Sequence, residues 1–210
     1  MPNLKAVLFD MDGVLIEAKD WHYEALNQAL ALFGYEINRF EHLTGFDGLP
    51  THVKLKKLSL EKGLPEALHP FINEMKQQYT VGIIQNQCRP RFNHEYALSK
   101  LQAAGYRLAC CSNSIRPTIE MMMNYAKLDK YLEFIISNQE VGKAKPDPEI
   151  YLTAMQKMGL KPEECLIVED NENGIKAVLA SGGHLLAVKT VDEVNYENIR
   201  RRIAEIEKGA

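Results

Sequence analysis

Leu8-Phe9-Asp10-Met11-Asp12-Gly13-Val14 is the stretch that decides how this chain is read: two carboxylates two residues apart close a short apolar run, and a glycine follows. Ala6 to Phe9 predicts a buried strand, and Gly13 permits the sharp turn after it. Side chains two apart at a strand end can project to the same side. Two like charges held that close repel, so the pair needs a cation or must keep one carboxyl protonated. A carboxylate that binds metal and attacks, beside a second that shuttles a proton, is an arrangement for chemistry rather than for packing. Taken alone, Asp-x-Asp-Gly also describes a solvated turn. A calcium loop would need a third ligand before its glycine and a later glutamate in register, and Gly13 comes too early for that.

With 210 residues the chain is long enough for one substantial core and a smaller second domain. Its 46% apolar and 25% charged content is that of an ordinary globular protein. A formal net charge of −3 gives no reason to expect nucleic acid or a membrane surface as partner. Cys88, Cys110, Cys111 and Cys165 form no Cys-x-x-Cys pair, and three of them lie in strand-like runs, so buried hydrophobes in a reducing, cytoplasmic setting are expected. Lys5 and the apolar residues after it hint at a signal peptide, but Asp10 and Asp12 interrupt the apolar region. No uncharged run approaches bilayer length, so a soluble chain is expected.

Short apolar runs alternate with longer segments of helical period. The strands are expected at Ala6–Phe9, Arg107–Cys111, Glu133–Ile136, Cys165–Val168 and His184–Val188. Helices are expected at Asn93–Ala104, Ile115–Ala126, Pro148–Met158, Glu172–Ala180 and, with Ile199, Ile203 and Ile206 on one stripe, Val191–Glu207. This alternation predicts an α/β fold, a Rossmann-like, mostly parallel sheet covered on both faces. From about Glu17 to Cys88 the alternation stops and the chain reads as helices: Trp21–Phe33, with Asp20 as its cap, then Thr51–Glu61 and Pro65–Gln78. The expected domains are therefore 1–16 with 89–210 as the catalytic core, and 17–88 as an inserted small all-helical cap domain, a lid beside the strand ends.

In an open parallel sheet, ligands bind outside the carboxyl ends of the strands. Asp10 and Asp12 follow the first run, Ser112-Asn113-Ser114 the second, and Glu169-Asp170 the fourth, while Lys143 and Lys145 precede Pro146-Asp147-Pro148. Each has an ordinary alternative. The serines suit a helix cap, the role expected for Ser114. The acidic pair suits a solvated turn, and lysines beside prolines suit a surface. Together, acids at two strand ends, a hydroxyl at a third and a nearby lysine describe a site for phosphate and Mg²⁺.

These motifs resemble the haloacid dehalogenase-like hydrolase superfamily. All four signatures stand in order, Asp10-Met11-Asp12-Gly13-Val14, Ser112-Asn113, Lys145-Pro146 and Glu169-Asp170, over a core from Lys5 to about Val188. The helical insertion sits where that superfamily's first-type cap does. The resemblance implies that Asp10 is a nucleophile forming an aspartyl-phosphate, and that Asp12 is general acid and then general base, its carbonyl also on Mg²⁺. It further implies Asp170 as a main metal ligand and Glu169 as a ligand or as a residue orienting a metal-bound water. Ser112 and the Asn113 N–H would hold phosphate oxygens, and Lys145 would pair with Asp10 and the phosphoryl group. Lys143 stays open as an alternative to Lys145, although only Lys145 directly precedes a proline. Asn171 stands where many relatives have Ser or Thr, and its amide can still donate a hydrogen bond.

Substrate choice is expected from the cap domain. His22 matches a histidine that helps hold the general acid in beta-phosphoglucomutases. Glu17-Ala18 replaces the Asp-Thr pair of mutases, and Gly45-Phe46-Asp47-Gly48 lacks the arginine that their cap loop offers a second phosphate. Both departures favour hydrolysis. The loop 44–52 is the expected substrate-facing part, with Phe46, Asp47, His52 and Lys54 as contacts. At least two of Lys54, Lys56 and Lys57 are expected merely to solvate a helix face. The first expectation is thus a monomeric Mg²⁺-dependent phosphomonoesterase for a small, sugar-phosphate-like phosphorylated metabolite. The second is a hexose-phosphate mutase. The third is a non-catalytic phosphoreceiver-like module, which would want its acceptor aspartate where this chain has Ser137-Asn138.

Overall fold

The structure, a computed structural model, describes residues 4–209. The first three residues and the last one of the expected core domain lie outside that range. The chain divides into two compact units, Met1–Glu17 with Arg89–Ala210, and Ala18–Cys88. No helix among the described residues is long and apolar enough to cross a membrane.

The first unit is built on five parallel strands, β1 (Ala6–Phe9), β2 (Arg107–Cys111), β3 (Phe134–Ile136), β4 (Cys165–Glu169) and β5 (His184–Ala187), in the order β3-β2-β1-β4-β5. Every residue of β1 is buried, as a central strand covered on both faces must be. One face, with Ala6, Leu8, Ala109 and Cys111, packs on Ile150, Tyr151, Ala154 and Met155 of α7 (Glu149–Met158) and on Ala177 and Val178 of α8 (Glu172–Ser181). Burying one such large apolar side chain contributes about 1.5–3 kcal/mol. Helix α5 (Phe92–Ala103) contacts β2 and α9 (Tyr196–Lys208), and α6 (Arg116–Tyr125) contacts β3.

Most expected elements form close to their expected bounds, and the exceptions have local causes. Glu133 precedes β3; its N–H still meets Leu108 O at 2.8 Å, and its carboxylate takes Arg107 at 2.7 and 2.6 Å. The last helix starts at Tyr196 rather than Val191, because the Asn195 side chain caps it through Asn198 N and leaves Val191–Glu193 as one 3₁₀ turn. All four cysteines are buried and free. Burial pushes the Cys111 and Cys165 thiols up to about 12.

The second unit comprises α1 (Lys19–Ala31), α2 (Arg39–Glu41), a π-turn His42–Phe46, α3 (Thr51–Lys62) and α4 (His69–Gln87). Its core gathers Leu26, Leu30, Ile37, Phe46, Leu55, Leu58 and Ile72. Asp20 does not cap α1. It lies inside the first turn, after an N-cap Ala18 that makes no side-chain cap bond, and pairs with Arg39 at 2.5 Å. Helix α4 runs past the expected stop at Gln78, because Thr80, Ile83 and Ile84 continue its buried stripe. Phe46 is 2% exposed, in the core rather than presented by the loop. Lys54 is buried and Lys57, whose Nζ donates to Gly45 O at 3.0 Å, is partly buried, so of the three lysines only Lys56 is fully on the surface.

His42 lies in the π-turn with its ring 4.8 Å from Tyr23 and its Nε2 3.8 Å from Asp47 Oδ1. Burial first, then the Lys54 charge, lowers its imidazole from 6.5 to about 4 against the opposing pull of Asp47. Folded His42 is therefore neutral at pH values where the unfolded chain takes up a proton. The stability this confers is complete above pH 6.5 and is lost as pH falls toward 4. Thermal midpoints measured across that window are expected to fall more steeply for the native chain than for His42→Gln; parallel slopes would refute the assignment.

Candidate active site

The carboxyl ends of β1, β2 and β4 bring the first unit's polar groups together. Asp10 directly follows β1, where its N–H donates to Val168 O at 3.0 Å and so pins it to β4. Gly13, at φ +90°, lets the chain fold back at once: Leu15 N and Ile16 N each donate to Met11 O at 2.9 Å. This turn carries Asp12, whose Oδ2 accepts from Ser114 Oγ at 3.1 Å. Ser114 is therefore committed to Asp12 rather than to the expected helix cap. The N-cap position of α6 is Ile115, with no side-chain cap bond. Ser112, 1% exposed, donates its N–H to Ile136 O at 3.0 Å, and its Oγ accepts from Ser114 N at 3.0 Å.

Lys145 is the centre of the cluster. It is 4% exposed, and Nζ donates to Asp10 Oδ1 at 2.6 Å, Glu169 Oε1 at 2.7 Å and Cys111 O at 2.8 Å. These three contacts match its three donors. Burial opposes its charge, but Asp10 and Glu169 prevail and raise its pKa above the ordinary lysine value. Lys143, by contrast, has a side chain 75% exposed and lies 3.7 Å from Asp147. The Lys145 backbone is held by an amide clamp: Lys145 N donates to Asn113 Oδ1 at 3.0 Å, and Asn113 Nδ2 donates to Lys145 O at 3.3 Å. Asn138 Nδ2 in turn donates to Asn113 O at 2.7 Å.

Glu169 ends β4 at 1% exposure and is surrounded by donors. Lys145 Nζ and the Tyr151 hydroxyl, at 2.6 Å, share Oε1; Asp170 N at 3.0 Å and Asn171 N at 3.4 Å reach Oε2. They take the four acceptor positions of a carboxylate. Asn171 caps α8, its Oδ1 accepting from Asn173 N at 2.9 Å. Asp10, at the middle of this charge, is raised well above the usual carboxylate range. Burial is the chief cause, opposed by Lys145 and reinforced by Glu169, Asp170 and Asp12.

Asp10, Glu169 and Asp170 offer carboxylate oxygens that all lie within 4.8 Å of one another. An all-oxygen, anionic donor set of this kind fits a hard divalent cation such as Mg²⁺. His22 belongs to the helical unit, where its Nδ1 is 3.3 Å from Lys76 Nζ.

Two residues of the site escape a reading by motif. Tyr151 lies one turn into the helix after Pro148, where its apolar period marks it as core, and its ring also stacks 4.7 Å from Lys145 Nζ. Gly174 sits in the first turn of α8. A Cβ there would stand 1.9 Å from Glu169 Oε1 and 2.2 Å from Oε2, so only glycine leaves room for the carboxylate. Gly174→Ala is expected to cost about 1–3 kcal/mol by overpacking and to displace Glu169. Tyr151→Phe, which removes one donor and keeps the ring, is expected to cost only about 1 kcal/mol. Urea unfolding of the two variants checks the order, and equal costs would refute it.

Residues 7–188 match the sequence profile of the family described as haloacid dehalogenase-like hydrolase. A haloacid dehalogenase-like hydrolase domain-containing protein of Arabidopsis thaliana is 26% identical, over 86% of this chain and 66% of that protein. A phosphorylated carbohydrates phosphatase of Thermotoga maritima is 26% identical, over 85% of this chain and 82% of that protein. Among solved structures, beta-phosphoglucomutase from Clostridium difficile superposes with a TM-score of 0.84 at 21% identity, over 98% of this chain and 99% of that one. That last likeness is one of fold.

Proposed function

This chain belongs to the haloacid dehalogenase-like hydrolases, and from that premise we propose that it is an Mg²⁺-dependent phosphomonoesterase acting on a small phosphorylated metabolite, sugar-phosphate-like, through an aspartyl-phosphate on Asp10. The observation that carries the reading is the buried Lys145 ammonium shared by Asp10 and Glu169 at 2.6 and 2.7 Å beside Asp170. That arrangement gathers a nucleophile, a fixed positive charge and an acidic cation site at adjacent strand ends.

In this reading an Asp10 carboxylate oxygen attacks phosphorus and the ester oxygen leaves in line, taking a proton from the Asp12 carboxyl. Water then attacks the phosphorus of the acyl phosphate and gives its proton back to Asp12, so that inorganic phosphate leaves and Asp10 is restored. Ser114 Oγ, hydrogen-bonded to Asp12 Oδ2, fixes the acid's rotamer. Ser112 and the backbone N–H of Asn113 receive phosphate oxygens. Lys145 neutralises charge on the nucleophile and on the transferred group. Asp10, the Asp12 carbonyl and Asp170 would hold Mg²⁺. Glu169, its acceptor positions already filled, acts chiefly by holding Lys145, with a metal-bound water as its remaining reach. Bound Mg²⁺ supplies the positive charge that neutralises the phosphate dianion and keeps Asp10 ionised.

Ala18–Cys88 is assigned as the substrate-selecting cap domain, with His22, Asp47, His52 and Lys54 as its candidate contacts. The absence of arginine from Gly45-Phe46-Asp47-Gly48 favours hydrolysis over phosphoryl return to a second hydroxyl.

A phosphate-release screen over phosphorylated metabolites is expected to find activity that requires Mg²⁺ and disappears with chelator. Asp10→Asn is expected to lower it at least about a thousandfold, the scale of losing a covalent nucleophile. Glucose 1-phosphate converted to an isomer with little free phosphate would instead support the mutase. Activity intact in Asp10→Asn would end the proposal.

A further inference from the structure

Two separate stretches of the first unit meet at the start of α5. One is the turn that carries Asp12, with Leu15 and Glu17 at its far end. The other is the 3₁₀ turn after β5, Val191–Glu193. Arg91, the N-cap position of α5, donates Nη1 to Glu17 at 3.4 Å and Nη2 to Asp192 at 2.6 Å. One turn inward, His94 repeats that bridge with backbone groups. Its Nδ1 lies 3.1 Å from Leu15 O and its Nε2 2.8 Å from Val191 O. The ring is 1% exposed. Both of its ring nitrogens thus face carbonyl oxygens of two chain segments, 79 and 97 residues away in sequence; a neutral ring has one N–H and donates to one of them at a time, and only the imidazolium donates to both. A histidine in such a place is a poor filler, because an apolar side chain would occupy the volume without needing partners.

The Leu15 carbonyl belongs to a tightly tied element. Val14 N, Leu15 N and Ile16 N all donate to Met11 O, at 3.3, 2.9 and 2.9 Å, Gly13 N donates to Ile16 O at 2.6 Å, and Asp12 bridges to Ile16. A shift of Leu15 therefore turns the residues between Met11 and Ile16 as a body, and Asp12 with them. Asp10 is held separately, by Val168 O and Lys145. We propose that His94 is a positioning residue for Asp12: braced on Val191, its imidazole fixes the Leu15 carbonyl and so the aim of the proton-transferring carboxyl, without touching the nucleophile. The proposal rests on the roles given above to Asp10 and Asp12.

Leaving groups separate these two parts of the machinery. Phenyl phosphate expels a basic phenolate that needs a proton, whereas 4-nitrophenyl phosphate expels a much weaker base that does not. The quantity to measure is kcat/KM, which covers attack by Asp10 and leaving-group departure but not the later hydrolysis. His94→Phe keeps the ring volume and loses both polar atoms. It is expected to lower kcat/KM for phenyl phosphate about tenfold or more while staying within about twofold on the nitrophenyl ester, the scale of a misaimed general acid. His94→Asn, whose amide stands near the Nδ1 position, is expected to restore most of the phenyl phosphate rate. His94→Gln, which reaches instead toward Val191, is expected not to. Thermal midpoints of all three are recorded, and if the Phe variant does not fold, the Asn and Gln variants decide. Equal losses on both esters, or Gln rescuing as well as Asn, would mean that His94 merely supports the fold. A native chain that releases phosphate from neither ester nor any metabolite of the screen, or an active Asp10→Asn, would overturn the phosphatase reading itself and this proposal with it.

Discussion

A lysine ammonium buried between carboxylates on neighbouring strands is the contact on which the polar end of the sheet depends. Removing Lys145 would leave Asp10 and Glu169 facing each other in a site that excludes water, the kind of broken buried pair that costs about 3–5 kcal/mol. The protein holds the ammonium with three acceptors at 2.6 to 2.8 Å and surrounds the second carboxylate with a phenol and two backbone N–H groups. Each of those neighbours constrains another. Tyr151 fixes the depth of α7, Gly174 allows α8 to start against Glu169, and Asn113 ties the lysine's loop to the end of β2.

This explains why an α/β core of ordinary composition has so demanding an end. Below the carboxyl edge, the sheet is held by area: alternating faces of β1 are fully buried and tolerate exchange of similar volumes. At the edge, a few charge-assisted bonds set positions to fractions of an ångström, and neither charge nor geometry can be traded singly.

The sheet was legible in the sequence because parallel strands buried on both faces appear as short unbroken apolar runs, and Ala6–Phe9 and Arg107–Cys111 form with the bounds those runs suggest. Lys145 stood out by its place before Pro146, and the acidic residues by standing where apolar runs end. Other features depend on neighbours far away in the chain. Ser114 suited a helix cap by local preference, yet Asp12, 102 residues earlier, takes its hydroxyl. Tyr151 reads as core because its hydroxyl's partner belongs to a strand further along the chain. Gly174 reads as one more helical residue until a Cβ is set against Glu169. In the helical unit, the reach of α4 to Gln87 was hidden by Gly82, which breaks a helical pattern on paper and meets nothing in space.

The cysteines carry a last consequence. Cys110 and Cys111 are built into β2 and Cys165 into β4, the two strands that flank β1, fully shielded, and burial holds their thiols in the unreactive protonated form. An alkylating reagent or a mild oxidant can reach them only when β2 or β4 parts from the sheet. Their modification rate is therefore a built-in clock for opening of the core, readable by mass spectrometry without adding a probe to the molecule.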